Sequence, residues 1–270
     1  MSDEHALYER VGDAFVGAPI TAGGWSPDAQ SGGAVLALLG HVLDDIPTLT
    51  PMSVSRVTAD LVRPVPVGEP LRIEHDIVRE GKKIQVVDLR VVTGGIDHAR
   101  ARVLRIRNTD FAGVAGAPVT TNEFDPSTLI PPPDAVATGH AGMPEFLRIA
   151  MDFRRTDPGG DRANGLWCRL RVPVVAGEPI RATSRVTAPM DLVNLIGATF
   201  DIAGVTAINP DVTAHVVRPP VGEWVALVGE TIFAHEVGHG VSAATMSDER
   251  GVFGLTSTSQ VLDRLPGHPG

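Results

Sequence analysis

Lysine is nearly absent from this chain: its 270 residues hold only Lys82 and Lys83, side by side. Basic residues number 23 against 32 acidic ones, a formal net charge of −9. Without a basic run, and with that negative excess, the chain is not suited to nucleic-acid phosphates or to an anionic membrane surface. Cysteine occurs once, at Cys168, which excludes an intrachain disulfide and agrees with a reducing compartment. No apolar run approaches the ~20 residues a membrane-crossing helix needs. Met1-Ser2-Asp3-Glu4-His5 is acidic and lacks the basic-then-apolar pattern of a secretion signal. These absences predict a cytoplasmic protein with no nucleic-acid and no membrane partner. With 43 % hydrophobic and 20 % charged residues, the chain can bury sizeable cores, and its length suffices for two domains.

What is present, above all, is a repeat. Val57-Thr58-Ala59-Asp60-Leu61-Val62-Arg63-Pro64 returns as Val212-Thr213-Ala214-His215-Val216-Val217-Arg218-Pro219, with six of eight positions identical. Val67-Gly68-Glu69 and Val221-Gly222-Glu223 follow the two copies. Fixed-offset similarity of this kind points to a duplicated unit. Within each copy the apolar residues alternate, as in a half-buried strand, and Arg-Pro ends it because proline cannot donate to a sheet ladder.

Each repeated strand follows a stretch that is apolar on nearly every face, 33–43 in copy one and 191–200 in copy two. Both predict buried helices. Further strands are expected at 14–20, 71–79, 84–92 and 99–106, then at 146–153, 166–172, 224–233, 241–246 and 252–262. A buried helix wrapped by an antiparallel meander is the hotdog fold, so the expected class is α+β, a double hotdog. The expected division is an N-terminal hotdog over 1–110, a Pro/Gly-rich linker over 111–143 containing Pro131-Pro132-Pro133, and a C-terminal hotdog over 144–270. Pro266 to Gly270 reads as a loose tail. Gly32-Gly33, at the end of the loop entering the first helix, suits close approach of a ligand to a helix N-terminus; a plain strand-to-helix turn is the alternative. The two glycines are candidate substrate-binding residues.

His235-Glu236-Val237-Gly238-His239 matches the HExxH zinc-protease pattern. The residues around it disagree. Ser242 and Thr245 stand where a metzincin continues with glycine and histidine, and Thr256-Ser257-Thr258-Ser259 offers no third glutamate. The repeat places this segment where copy one has Arg79-Glu80-Gly81-Lys82-Lys83, a hairpin turn, and its glycines suit a turn. No metal and no cofactor are expected.

The order and spacing of three short motifs in copy two resemble acyl-CoA thioesterase II, the TesB-like double-hotdog family. Met190-Asp191-Leu192-Val193-Asn194-Leu195 is close to the family's Ser-Asp-Leu-Asn-Phe-Leu, and Gln260 lies in Ser257-Thr258-Ser259-Gln260-Val261-Leu262 on the last strand. The family's threonine position falls on Asn209, in Asn209-Pro210-Asp211, a departure from the pattern. The resemblance implies Asp191 opening the second helix, with Asn209 and Gln260, as the catalytic set. It also implies an acyl-CoA substrate and a homo-oligomer, dimer or higher.

The chemistry suits those residue types. A thioester needs an activated water and a polarised carbonyl but little acid help, because a thiolate leaves easily. A buried carboxylate can deprotonate that water, amide side chains can orient it, and backbone N–H groups at a helix start can hold the oxyanion. The structural alternatives are an N-cap for Asp191, an exposed strand residue for Gln260 and a turn residue for Asn209. Asp211 is read as holding its loop. Copy one shows no matching aspartate at its helix opening, Asp28 lying in the preceding loop, so it is expected to shape the groove and the pairing surface. Two other functions remain open. A hotdog hydratase or dehydratase is echoed by Asn209-Pro210 and His215, although Ala207 stands where its aspartate belongs. A non-catalytic acyl- or acyl-CoA-binding protein is favoured by Asn209.

Overall fold

The structure, a computed structural model, describes residues 5–24, 26–116, 144–155, 165–196 and 205–264. Strict alternation builds its sheet. In β5 (Ile84–Thr93) the side chains of Gln85, Val87, Leu89, Val91 and Thr93 are buried while those between them are half-exposed. Copy one adds β3 (Met52–Leu61), β4 (Pro70–Arg79) and β6 (Ile96–Arg107), preceded by β1 (Tyr8–Val11) and β2 (Ala14–Gly17). Copy two answers with β7 (Met151–Arg155), β8 (Gly165–Leu170), β9 (Val205–Ile208), β10 (Asp211–Val216), β11 (Val225–Ala234), β12 (His239–Asp248) and β13 (Gly251–Arg264).

All thirteen strands form one sheet in the order β1-β2-β4-β5-β6-β3-β10-β13-β12-β11-β8-β7, with β9 paired to β13. The order has the same sense read from either end, and its midpoint is the repeat. In the antiparallel β3–β10 pair Thr58 faces Thr213, Val57 faces Ala214 and Ala59 faces Val212. Thr213 Oγ1 donates to Thr58 Oγ1 at 3.3 Å across a pseudo-twofold axis. The duplicated strands therefore pair with each other and remove two exposed edges. The expected double hotdog in one continuous sheet is what the chain adopts.

Two helices lie inside the curl of the sheet. In α1 (Gly32–Leu43) every residue from Gly33 to His41 is buried, which explains a sequence apolar on all faces. It packs against α2 (Ala182–Met190). A Cβ on Gly33 would come within 3.0 Å of the Ala188 carbonyl oxygen, and one on Gly40 within 3.1 Å of the Ser184 nitrogen. Glycine at both places lets the backbones approach, and Ser184 Oγ donates to the Ala37 carbonyl at 2.9 Å.

The second helix is displaced from expectation. It spans Ala182–Met190 rather than starting at residue 191. Its Thr, Ser and Arg content hides it from an apolar-run reading, yet Thr183, Ser184, Val186 and Thr187 are buried. Pro189 lacks an amide hydrogen and weakens the α-helical ladder. The chain continues as a 3-10 turn over Asp191–Leu195, and residues 197–200 of the predicted helix lie outside the described ones. The strand expected at 146–153 is likewise divided, a π-helical turn over Phe146–Ala150 preceding β7. The predicted linker from residue 117 on, its three prolines, and the predicted tail lie outside the described residues.

His235 to Gly238 forms the hairpin turn between β11 and β12, with Gly238 at φ 68°. His235 and His239 are exposed. Among the described residues no three His, Cys, Asp or Glu side chains cluster as metal ligands, and no helix is long and apolar enough to cross a membrane.

Candidate active site

Asp191 stands just past the C-terminus of α2 and opens the 3-10 turn, so it neither begins the second helix nor caps its own element. Its carboxylate reaches the other helix instead. The Gly33 backbone N–H at the start of α1 donates to it. A Cβ on Gly32 would sit 2.8 Å from both carboxylate oxygens and from Leu61 Cδ1. Gly32 and Gly33 thus fit the chain closely around Asp191.

Asn209, in the short connection between β9 and β10, is buried and completes the cradle. Its Nδ2 donates to the Asp191 carbonyl oxygen at 2.8 Å and to Oδ1 at 3.2 Å. It is a turn residue and an Asp191 partner at once. Asp191 is only 8 % exposed. Burial pushes its pKa above the usual carboxylate value, against the opposing hydrogen bonds from Asn209 and Gly33. The positive end of α1 also favours the ionised form. The outcome is a carboxylate that holds a proton more tightly than a surface aspartate does.

Gln260 is 2 % exposed, not an exposed strand residue. Its Nε2 donates to Ser242 Oγ at 2.8 Å, Ser242 shares a 2.5 Å hydrogen bond with Thr231 Oγ1, and Thr231 donates to the Ile196 carbonyl at 2.7 Å. A relay across β13, β12 and β11 therefore ties Gln260 to the far end of the turn that Asp191 opens. No direct hydrogen bond joins Gln260 to Asp191 or Asn209. Asn209 Oδ1 and Gln260 Oε1 are both buried without a hydrogen-bond partner, which is costly for amide oxygens unless something donates to them. Asp211 does hold its loop: its Oδ1 accepts from the Ser259 N–H at 3.0 Å.

The pseudo-twofold axis exposes residues that the sequence reading missed. Asp44 follows α1 as Asp191 follows α2, and it accepts from the Thr183 hydroxyl at 2.6 Å and the Thr183 N–H at 3.3 Å at the start of α2. Copy one therefore has a matching aspartate, at the helix end rather than its opening. The 155-residue offset of Thr58 and Thr213 puts Val54 in the place of Asn209, Arg105 in that of Gln260 and Val87 in that of Ser242. That offset was legible and would have paired Gln260 with Arg105. It does not carry through the helices, which hid Asp44. Ser242 and Thr231 left no motif.

Residues 21–106 match the family model of the acyl-CoA thioesterase N-terminal domain. Similar solved structures include acyl-CoA thioesterase II TesB2 from Mycobacterium marinum, at 14 % identity and TM-score 0.66, with 97 % of each chain covered. The tesB protein of Mycobacterium avium subsp. paratuberculosis is similar at 15 % identity and TM-score 0.65, over 95 % of each chain. A hot-dog-fold protein of unknown function from Alicyclobacillus acidocaldarius is similar at 16 % identity and TM-score 0.70, over 99 % of this chain and 98 % of that one. No curated protein matches the chain by sequence.

Proposed function

We propose that this chain, whose residues 21–106 match the acyl-CoA thioesterase N-terminal domain model, is a thioester hydrolase that cleaves fatty acyl-CoA with a water activated by Asp191. The supporting observation is the cradle itself, a buried carboxylate held by Asn209 and Gly33 and accompanied by two buried amide oxygens without partners. Asp191 serves as general base. The water oxygen bonds to the thioester carbonyl carbon, its proton passes to Asp191, and the tetrahedral intermediate collapses by breaking the C–S bond. The electron pair leaves on the CoA thiolate, and free acid is the other product. Asn209 fixes the carboxylate through Nδ2. Asn209 Oδ1 and Gln260 Oε1 are acceptors suited to the water's remaining hydrogen. The raised pKa of Asp191 strengthens it as a base, and its ionised fraction sets the lower pH limit of turnover.

Free-thiol release from a panel of acyl-CoAs of increasing chain length tests the reading. Hydrolysis that rises to a plateau with pH, with an apparent pKa above the ordinary carboxylate value of ~4, is expected. Tight binding of the same compounds without turnover contradicts hydrolysis and leaves an acyl-binding protein. For quaternary structure the proposal is a homodimer or larger assembly, supported by the exposed side chains of Ile232, Val241 and Leu255 on the outer face of β11–β13. A clean monomer in sedimentation at micromolar concentration contradicts it.

A further inference from the structure

Copy one keeps the frame of the copy-two site and changes its chemistry. A cavity of about 410 Å³ lies at the pseudo-symmetric position, lined by Asp44, Met52, Val54, Arg105, Val186 and Val216 among others. Val216 is the repeat mate of Leu61, which packs near Asp191. Arg105 is 5 % exposed. Its Nη1 donates to the Ile46 carbonyl at 2.7 Å and to Gln85 Oε1 at 3.1 Å, and its Nη2 donates to the Leu43 carbonyl. Gln85 stands in the repeat place of Gly240, so the amide that steadies Arg105 takes the place of a glycine against which the Phe233 ring packs beside Gln260.

These acceptors are all neutral. No carboxylate forms an ion pair with Arg105 among the described residues, although buried charges are normally paired. The carbonyls at the end of α1 supply only a partial negative charge. Asp44, which lines the same cavity, and Glu80, which accepts from Gln85 Nε2, act on Arg105 through space without touching it, and the Asp44 oxygens are engaged by the Thr183 N–H and hydroxyl. Of the five N–H groups on a guanidinium, the three bonds above leave two uncommitted. A ligand entering here meets aliphatic walls from Met52, Val54, Val186 and Val216 and a cation with free donors.

We propose that the copy-one cavity binds the anion of an aliphatic carboxylic acid, its carboxylate on Arg105 and its chain against Val54, Val186 and Val216. The site lacks the water-holding amides of copy two, so it binds without hydrolysing. Only the source of the ligand rests on the thioesterase reading, since acyl-CoA hydrolysis releases such an acid. The binding measurement involves no turnover, so failure of that reading would be seen separately, in thiol release.

The test is titration of the full-length protein with [1-13C]decanoate, followed by NMR of the carboxylate carbon, with decanol as a chain-only control competitor. Wild type should show a bound resonance that decanol displaces poorly. Arg105→Gln, which removes the charge, should weaken binding at least about thirtyfold. Val54→Phe fills the cavity while leaving Arg105 in place, should abolish the same resonance, and decides the matter if Arg105→Gln fails to fold. Absence of a bound signal in wild type overturns the proposal. So does a signal that survives Val54→Phe, which places the acid elsewhere. Loss with Val54→Phe but undiminished affinity with Arg105→Gln also overturns it, because the pocket would then select the chain and not the carboxylate.

Discussion

Asp44 and Asp191 occupy equivalent corners of the molecule, each just past the end of one helix and against the start of the other. Asp44 is exposed and its carboxylate is occupied by Thr183. Asp191 is buried, its pKa pushed up by desolvation, and its neighbours Asn209 and Gln260 keep acceptor atoms unpartnered. Around Asp44 the same positions hold Val54 and an arginine bonded to helix-end carbonyls. Duplication preserved the backbone placement of a carboxylate. Exposure and the neighbouring side chains set the environments of the two carboxylates apart.

The largest effect on stability should come from a corner that the copies close differently. Copy two uses a buried ion pair, Arg218 to Asp248 at 2.5 and 2.8 Å, with the Val221 and Arg250 N–H groups on the same carboxylate. Copy one has Thr93 at the corresponding place, donating to the Pro70 carbonyl at 2.9 Å. Asp248→Ala strands the guanidinium and two amides and should cost about 3 kcal/mol in denaturant unfolding. Thr93→Ala should cost no more than about 1 kcal/mol. Equal losses would erase the contrast. The Asp248 carboxyl is held below its usual pKa by Arg218 and the two amides, despite burial pulling the other way. Its contribution is present above the unfolded value near ~4 and lost as pH falls through the lowered native value.

On turnover, Gln260→Ala should lower kcat about tenfold, the scale of lost orientation rather than lost proton transfer. Ser242→Ala should lower it about threefold if it acts by holding Gln260, and should add nothing in the Gln260→Ala background. Additive losses would make Ser242 a packing residue only. Asn209→Thr, the residue of the resembled family, should keep kcat within about threefold. A collapse would show that this chain depends on the amide for a reason specific to its own cradle.

The smallest effect sharpens the electrostatic side of the comparison. A carboxyl whose native pKa lies above its unfolded value adds stability below the unfolded pKa and loses it as pH rises through the native one. Asp191→Asn should therefore raise the melting temperature by a few degrees at neutral pH and by nothing near pH ~3.

The meander strands, the continuous sheet and the turn at His235 were legible because alternation and the repeat both encode them, whereas β1, β9 and the division of 146–153 were not. The Asp191 and Gln260 positions were singled out through short motifs, and both side chains are buried. The second helix was not, because Thr183, Ser184 and Thr187 are polar residues whose hydroxyls are satisfied inside the core, Ser184 and Thr187 by backbone carbonyls and Thr183 by Asp44. That displacement carried Asp191 from a helix opening to a helix end and concealed Asp44. The Ser242–Thr231 relay depends on three strands meeting in space, and no local pattern records it.

The most direct test of the account compares Asp191→Asn and Asp44→Asn side by side for acyl-CoA hydrolysis, with both variants shown to be folded. Asp191→Asn should lower kcat by about a hundredfold or more, the scale of a lost general base, and Asp44→Asn should leave it unchanged. Equal losses in the two variants, or full activity in Asp191→Asn, would contradict a single catalytic carboxylate in copy two.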